Sequence, residues 1–139
     1  MLLNLATEFR FYFARNKVGK AFVAPLDVYL SETETYQPDI IVLLTENFSK
    51  IKENKIEGDP DLIVEVLSPS TAYYDLKHKK SIYEKHGVKE YWVVDPIDKT
   101  VEIYQNQNAK FHLIAELTKT DTAKSQLIAG MEVDLQNIF

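Results

Sequence analysis

The chain has 139 residues, a formal net charge of −5 and no cysteine, which excludes disulfides, thiolate zinc sites and cysteine nucleophiles together. One domain over residues 1–139 is the simplest organisation at this length, with 8 Tyr, 7 Phe and 1 Trp to fill a core. The acidic balance argues weakly against a dedicated nucleic-acid binder, which needs a concentrated basic surface, but not against an enzyme that gathers its acids around a metal.

Residues 3 to about 16 contain no Gly, no Pro and no strict alternation, which predicts a helix stopped near Gly19. Ala21 to Leu30 reads as a strand and Ser31–Thr35 as a polar turn. Pro38 is tolerable at a strand's first position, so Asp39 to Leu44 forms the second strand. Glu46 to Gly58, rich in Lys, Glu and Asn, is expected to be a connection with one helical turn, otherwise mobile. Pro60 to Ser68 is the third strand. Ser68-Pro69-Ser70-Thr71 then turns into a helix from about Ala72 to His86, ended by Gly87. Tyr91 to Asp95 is a fourth strand, closed by Pro96, and Tyr91 and Trp92 read as core residues rather than a base-stacking platform. Val101–Tyr104 and Lys110–Leu117 look like a hairpin around Asn106-Gln107-Asn108, and Leu127 to Leu135 like a last strand. A helix between strands three and four favours an α/β (α+β) fold, a mixed sheet flanked by helices.

No apolar run approaches the ~20 residues needed to span a bilayer. The opening Met-Leu-Leu-Asn-Leu-Ala-Thr-Glu lacks a basic stretch, so no signal peptide is expected and a cytoplasmic protein fits. Phosphate-binding glycine loops and zinc-spaced histidines are absent. Lys77, Lys79, Lys80, Lys85 and Lys89 fall in one stretch, most simply a solvated helix face.

Chemistry is suggested by Glu65, which interrupts the apolar run Leu62-Ile63-Val64-Glu65-Val66-Leu67. A carboxylate inside such a strand is costly to bury unless a cation or hydrogen-bond donors meet it. Asp61 shares its face but lies roughly 13 Å away at ~3.3 Å per residue, too far to share one metal ion directly. Asp39 belongs to a neighbouring strand only about 4.8 Å distant and can place its carboxylate beside Glu65. Two such acids suit a hard divalent metal. The plainer alternatives are a strand-start aspartate and a salt-bridged core glutamate.

A helix advances ~100° per residue, which groups Ala72, Leu76, Ile82 and Tyr83 on one side with Lys79 within roughly 20° of their mean direction. An inward lysine needs an anionic partner, and Glu65 is the obvious one. Asp75, four residues earlier, has the spacing to touch Lys79. Equally, Lys79 could pack its stem and reach solvent with its head.

The strings Ala24-Pro25-Leu26-Asp27-Val28, Gln37-Pro38-Asp39 and Gly58-Asp59-Pro60-Asp61-Leu62-Ile63-Val64-Glu65-Val66-Leu67-Ser68-Pro69-Ser70-Thr71 resemble a known family. So do Asp75, Lys79 and Tyr83, and Gly87-Val88-Lys89-Glu90-Tyr91-Trp92-Val93-Val94-Asp95-Pro96. From about Phe22 onward the chain resembles the Uma family of putative restriction endonucleases, within the PD-(D/E)xK nuclease superfamily. The resemblance implies a restriction-endonuclease-like mixed sheet between helices, and Mg²⁺-dependent (or Mn²⁺-dependent) cleavage of DNA phosphodiesters. It assigns Asp39 and Glu65 to the metal with a backbone carbonyl, expected at Val66. The superfamily's strand lysine should stand two residues beyond Glu65, where this chain has Leu67. The resemblance implies that the lysine has moved to the following helix, where Lys79 stands; Asp75, four residues earlier, would position it.

Asp27 also matches, as a strand-end hydrogen-bond partner at the least. The family usually carries an N-terminal hairpin and a histidine before its first helix, whereas this chain begins at about that helix. Glu8 is the candidate for the helix acid of many nucleases in the superfamily. DNA is the expected partner, no membrane is, and a homodimer is left open. The alternative function is a catalytically inactive nuclease-fold module that binds DNA or protein.

Overall fold

A computed structural model describes residues 1–69 and 73–139. The predicted turn at Ser70-Thr71 and helix start at Ala72 lie outside the described residues. The chain opens with helix α1 (Leu2–Arg15), which buries Leu5, Ala6, Phe9 and Phe13 as one stripe. Strands β1 (Gly19–Val23), β2 (Asp27–Tyr29), β3 (Thr35–Tyr36) and β4 (Ile40–Leu44) follow. A 3₁₀ helix (Thr45–Lys50), β5 (Lys55–Glu57) and β6 (Leu62–Val66) lead to helix α2 (Tyr73–Lys85). Then come β7 (Glu90–Asp95), β8 (Thr100–Gln107), β9 (Lys110–Thr118), β10 (Thr122–Lys124) and β11 (Glu132–Asp134), with a closing 3₁₀ turn at Leu135–Asn137.

Six strands form the main sheet in the order β1-β4-β6-β7-β8-β9. Only β6 and β7 run parallel within it, joined through α2, as a crossover connection requires. The sheet is therefore mixed, with helices on its faces, as the sequence predicts. One face packs on α1 through Ile40, Val42, Leu62, Val64, Trp92 and Val94. The other carries Ile63, Tyr91 and Val93 against Tyr83 of α2, and Ile41 and Leu43 against Val28 and Ile56 of a small sheet ordered β3-β2-β5. Among the described residues no helix is long and apolar enough to cross a membrane.

Three expectations need correction. The strand predicted over Ala21–Leu30 is two strands in two different sheets, broken where Pro25 removes a backbone donor. The supposedly mobile 46–58 connection is ordered: Ile56 is fully buried, and β5 pairs in parallel with β2. The last predicted strand, Leu127–Leu135, is mostly loop, because Gly130 turns the chain at φ +89° and only Glu132–Asp134 extends. That short strand closes a hairpin with β10.

Candidate active site

The register of β4 against β6 builds the site. Ile40 faces Val64 and Ile41 faces Ile63, so one step further Asp39 stands across from Glu65. Ile40 and Val64 point into the α1 layer, and alternation sends Asp39 and Glu65 to the opposite face, under α2. A bond between the strands fixes the pair: the Val66 N–H donates to Asp39 Oδ2 at 2.7 Å.

Glu65 is 5% exposed and Asp39 half-buried. Two side chains one turn apart on α2 reach the same oxygen of Glu65. The Tyr83 hydroxyl donates to Oε2 at 3.0 Å, and Lys79 Nζ lies 3.4 Å from it. Burial pushes the Glu65 carboxyl above the usual carboxylate range. The Lys79 ammonium opposes that shift, the nearby Asp39 charge adds to it, and the Tyr83 hydrogen bond again opposes it. Burial, with Glu65 beside it, drives the Tyr83 hydroxyl far upward, so it keeps its proton and acts as a donor.

A cleft of about 220 Å³ opens over these groups, lined by Gln37, Asp39, Glu65, Val66, Leu67 and Lys79 among others. Asp27 takes the strand-end role allowed for it, since its Oδ1 accepts from Gln37 Nε2 at 2.8 Å and holds that amide at the rim. Leu67, where the superfamily lysine would stand, packs against the hydrophobic layer under α2. The two carboxylates, the Val66 backbone and the Lys79 ammonium thus converge in one cleft. Among the described residues no group of three or more His, Asp or Glu side chains forms a fuller cage.

Asp75 is exposed in the first turn of α2, and the ion pair of Lys79 among the described residues is with Glu65. Glu8 lies on α1, across the sheet from the acids, and forms no ion pair among the described residues. Asp61 is a buried clamp rather than a mere strand start. It accepts from the Leu44 N–H at 2.7 Å, from Asn47 at 2.8 Å and from Lys89 at 3.0 Å. Tyr83 is the contact that pattern reading misses as a site residue; its place four residues after Lys79 is the signal that finds it.

Residues 1–136 match the profile of the Uma2 family, described as "Putative restriction endonuclease". The chain belongs to this family. The match reaches the N-terminus, beyond the Phe22 limit of the resemblance. A relative in Synechocystis sp. (strain ATCC 27184 / PCC 6803 / Kazusa), named "Uncharacterized protein sll1609", is 32% identical over 98 residues. The alignment takes in 69% of the Uma2 chain and 55% of that relative, so the chain spans about half of its length. The crystal structure of a "putative nuclease belonging to DUF820" from Anabaena variabilis ATCC 29413 superposes with a TM-score of 0.78 at 18% identity, covering 99% of this chain and 77% of that one. The Uma2 chain therefore has a nuclease-like fold.

Proposed function

We propose that this Uma2 chain is a metal-dependent endonuclease that hydrolyses DNA phosphodiester bonds. One observation carries the proposal: Asp39 and Glu65 face each other across β4 and β6 in a cleft that also holds the Lys79 ammonium. The donor set fits Mg²⁺ or Mn²⁺, hard cations that Mg²⁺-type sites bind through one or two carboxylates while keeping several waters. The internal contacts engage Asp39 Oδ2 and Glu65 Oε2, so Oδ1 and Oε1, with the Val66 carbonyl, are the atoms that would hold the ion. When bound, the ion would polarise a phosphoryl oxygen and lower the pKa of an attacking water.

The chain's own groups do the rest. Val66 and Tyr83 hold the two carboxylates in place by hydrogen bonds. Lys79 orients the water or stabilises charge developing on the phosphate. Glu65 holds Lys79 through their ion pair at 3.4 Å, and Asp75, one turn before Lys79 on α2, has the spacing to help position it. A homodimer would present two clefts to the two strands of a duplex.

Supercoiled plasmid incubated with Mg²⁺, Mn²⁺ or EDTA tests the proposal. The native chain should nick it only with metal, and Glu65→Gln or Lys79→Ala should lower nicking by about 100-fold or more with unchanged circular dichroism. Cleavage that survives both substitutions refutes the assignment. A second reading, an inactive module binding DNA or protein, is favoured by one fact: Lys79 and Tyr83 already satisfy the buried Glu65 without a metal. Calorimetric titration with Mn²⁺ separates the two.

A further inference from the structure

A second cleft, of about 270 Å³, lies beside the first between α2 and strands β7 and β8. Leu76 borders both clefts. The register Glu65↔Val93↔Glu102 carries the floor of the first into the second over one to two strand spacings, roughly 5–10 Å. Lys77, Lys80, Tyr91, Glu102 and Tyr104 line it. Lys80 Nζ stands 3.9 Å from the centre of the Tyr104 ring, and Lys77 is exposed. Tyr91 is 0% exposed, and its hydroxyl has no hydrogen-bond partner among the described residues. A buried polar atom left in that state calls for an explanation. Burial, then the Glu65 carboxylate, drives this hydroxyl's pKa far upward, so it keeps its proton and can donate.

Among the described residues the cleft lining therefore sets two ammoniums, and a proton-bearing hydroxyl closed off at its floor, against one carboxylate, that of Glu102. A phosphodiester presents the reverse, two anionic oxygens that only accept. We propose that this second cleft binds the phosphate next to the scissile one on the DNA strand in the first cleft. Tyr91 is closed off, so the side chains above it must part; its hydroxyl then donates to a non-bridging oxygen, and Lys77 and Lys80 supply the countercharge. The subsite rests on the nuclease reading above.

Fluorescence anisotropy of a labelled single-stranded oligonucleotide, in EDTA to prevent cleavage and at several KCl concentrations, tests it. The Lys77→Gln/Lys80→Gln double variant should bind about tenfold more weakly. Its slope of log affinity against log salt should be shallower by about 0.7, the share of one phosphate on a single strand. Tyr91→Phe, which keeps the ring and removes only the unpartnered hydroxyl, should weaken binding several-fold at unchanged slope. Mn²⁺ titrations of all variants without DNA should match the native chain, because none alters Asp39 or Glu65. Variants that bind DNA like the native chain overturn the subsite and leave the nuclease reading intact. A native chain that takes up no Mn²⁺ strikes the metal centre instead, and one that fails to bind DNA at low salt overturns both.

Discussion

Glu65 shows how one residue couples stability to chemistry. Its strand neighbours are hydrocarbon, it is 5% exposed, and its carboxyl titrates above the usual range, mainly because burial disfavours the charge. A carboxyl whose pKa is raised on folding stabilises the fold most when protonated. Its contribution is full below the unfolded value and is lost as pH rises through the folded one. Urea denaturation of the metal-free native chain should therefore show stability falling across a window just above the ordinary Glu pKa of ~4.3. Glu65→Gln should flatten that fall and leave the neutral-pH midpoint unchanged or higher; a clearly lower midpoint would contradict the account. Protons and metal compete for the same oxygens, so Mn²⁺ affinity should weaken as pH drops through this window. The heat of binding should then depend on the buffer's ionisation enthalpy, as proton release requires, and a buffer-independent heat would speak against Glu65 as a ligand.

Between elements, two contacts decide whether the sheet holds its shape. Gly19 opens β1 where α1 turns into the sheet, and a Cβ there would lie 2.8 Å from the Leu43 carbonyl oxygen and 2.9 Å from the Phe13 ring. Gly19→Ala should cost about 1–3 kcal/mol through overpacking, read as a lower denaturation midpoint. Glu90, 1% exposed, ties the C-terminal loop to β7. It accepts from Trp92 Nε1 at 2.9 Å, Ser125 Oγ at 2.7 Å, Gln126 N at 2.9 Å and Leu127 N at 3.0 Å. Glu90→Ala strands these donors and should cost about 3 kcal/mol in urea unfolding; a change within ~0.5 kcal/mol would show the clamp to be dispensable. Neither contact was legible in the sequence, since both join segments distant along the chain. Helix α1, helix α2 and the strand around Glu65 were legible, because apolar period and stop signals such as Gly87, at φ +90°, are local. Strand β2 was hidden because its partner β5 lies in a stretch whose polarity reads as loop, and a buried Ile56 is a weak signal by itself.

For the molecule as a whole, the site was legible to the extent that strand order was. Placing Asp39 beside Glu65 required only that their strands be neighbours, and the antiparallel register sets them opposite each other. The inward direction of Lys79 followed from helical angle alone, and its ion pair with Glu65 agrees. Tyr83 and Asp27 acquire their contacts only once the tertiary structure brings α2 and Gln37 to the cleft. A metal bound only by the folded state stabilises it by mass action, so saturating Mn²⁺ at 100 times its dissociation constant should add about 2.7 kcal/mol of stability. The most direct measurement is calorimetric titration of the purified chain with Mn²⁺, repeated on Asp39→Asn. One ion per chain for the native protein, and loss of that binding in the variant, is the expected result. An absence of binding heat and of any thermal shift with Mn²⁺, or equal affinity in the variant, would contradict the Asp39–Glu65 metal centre.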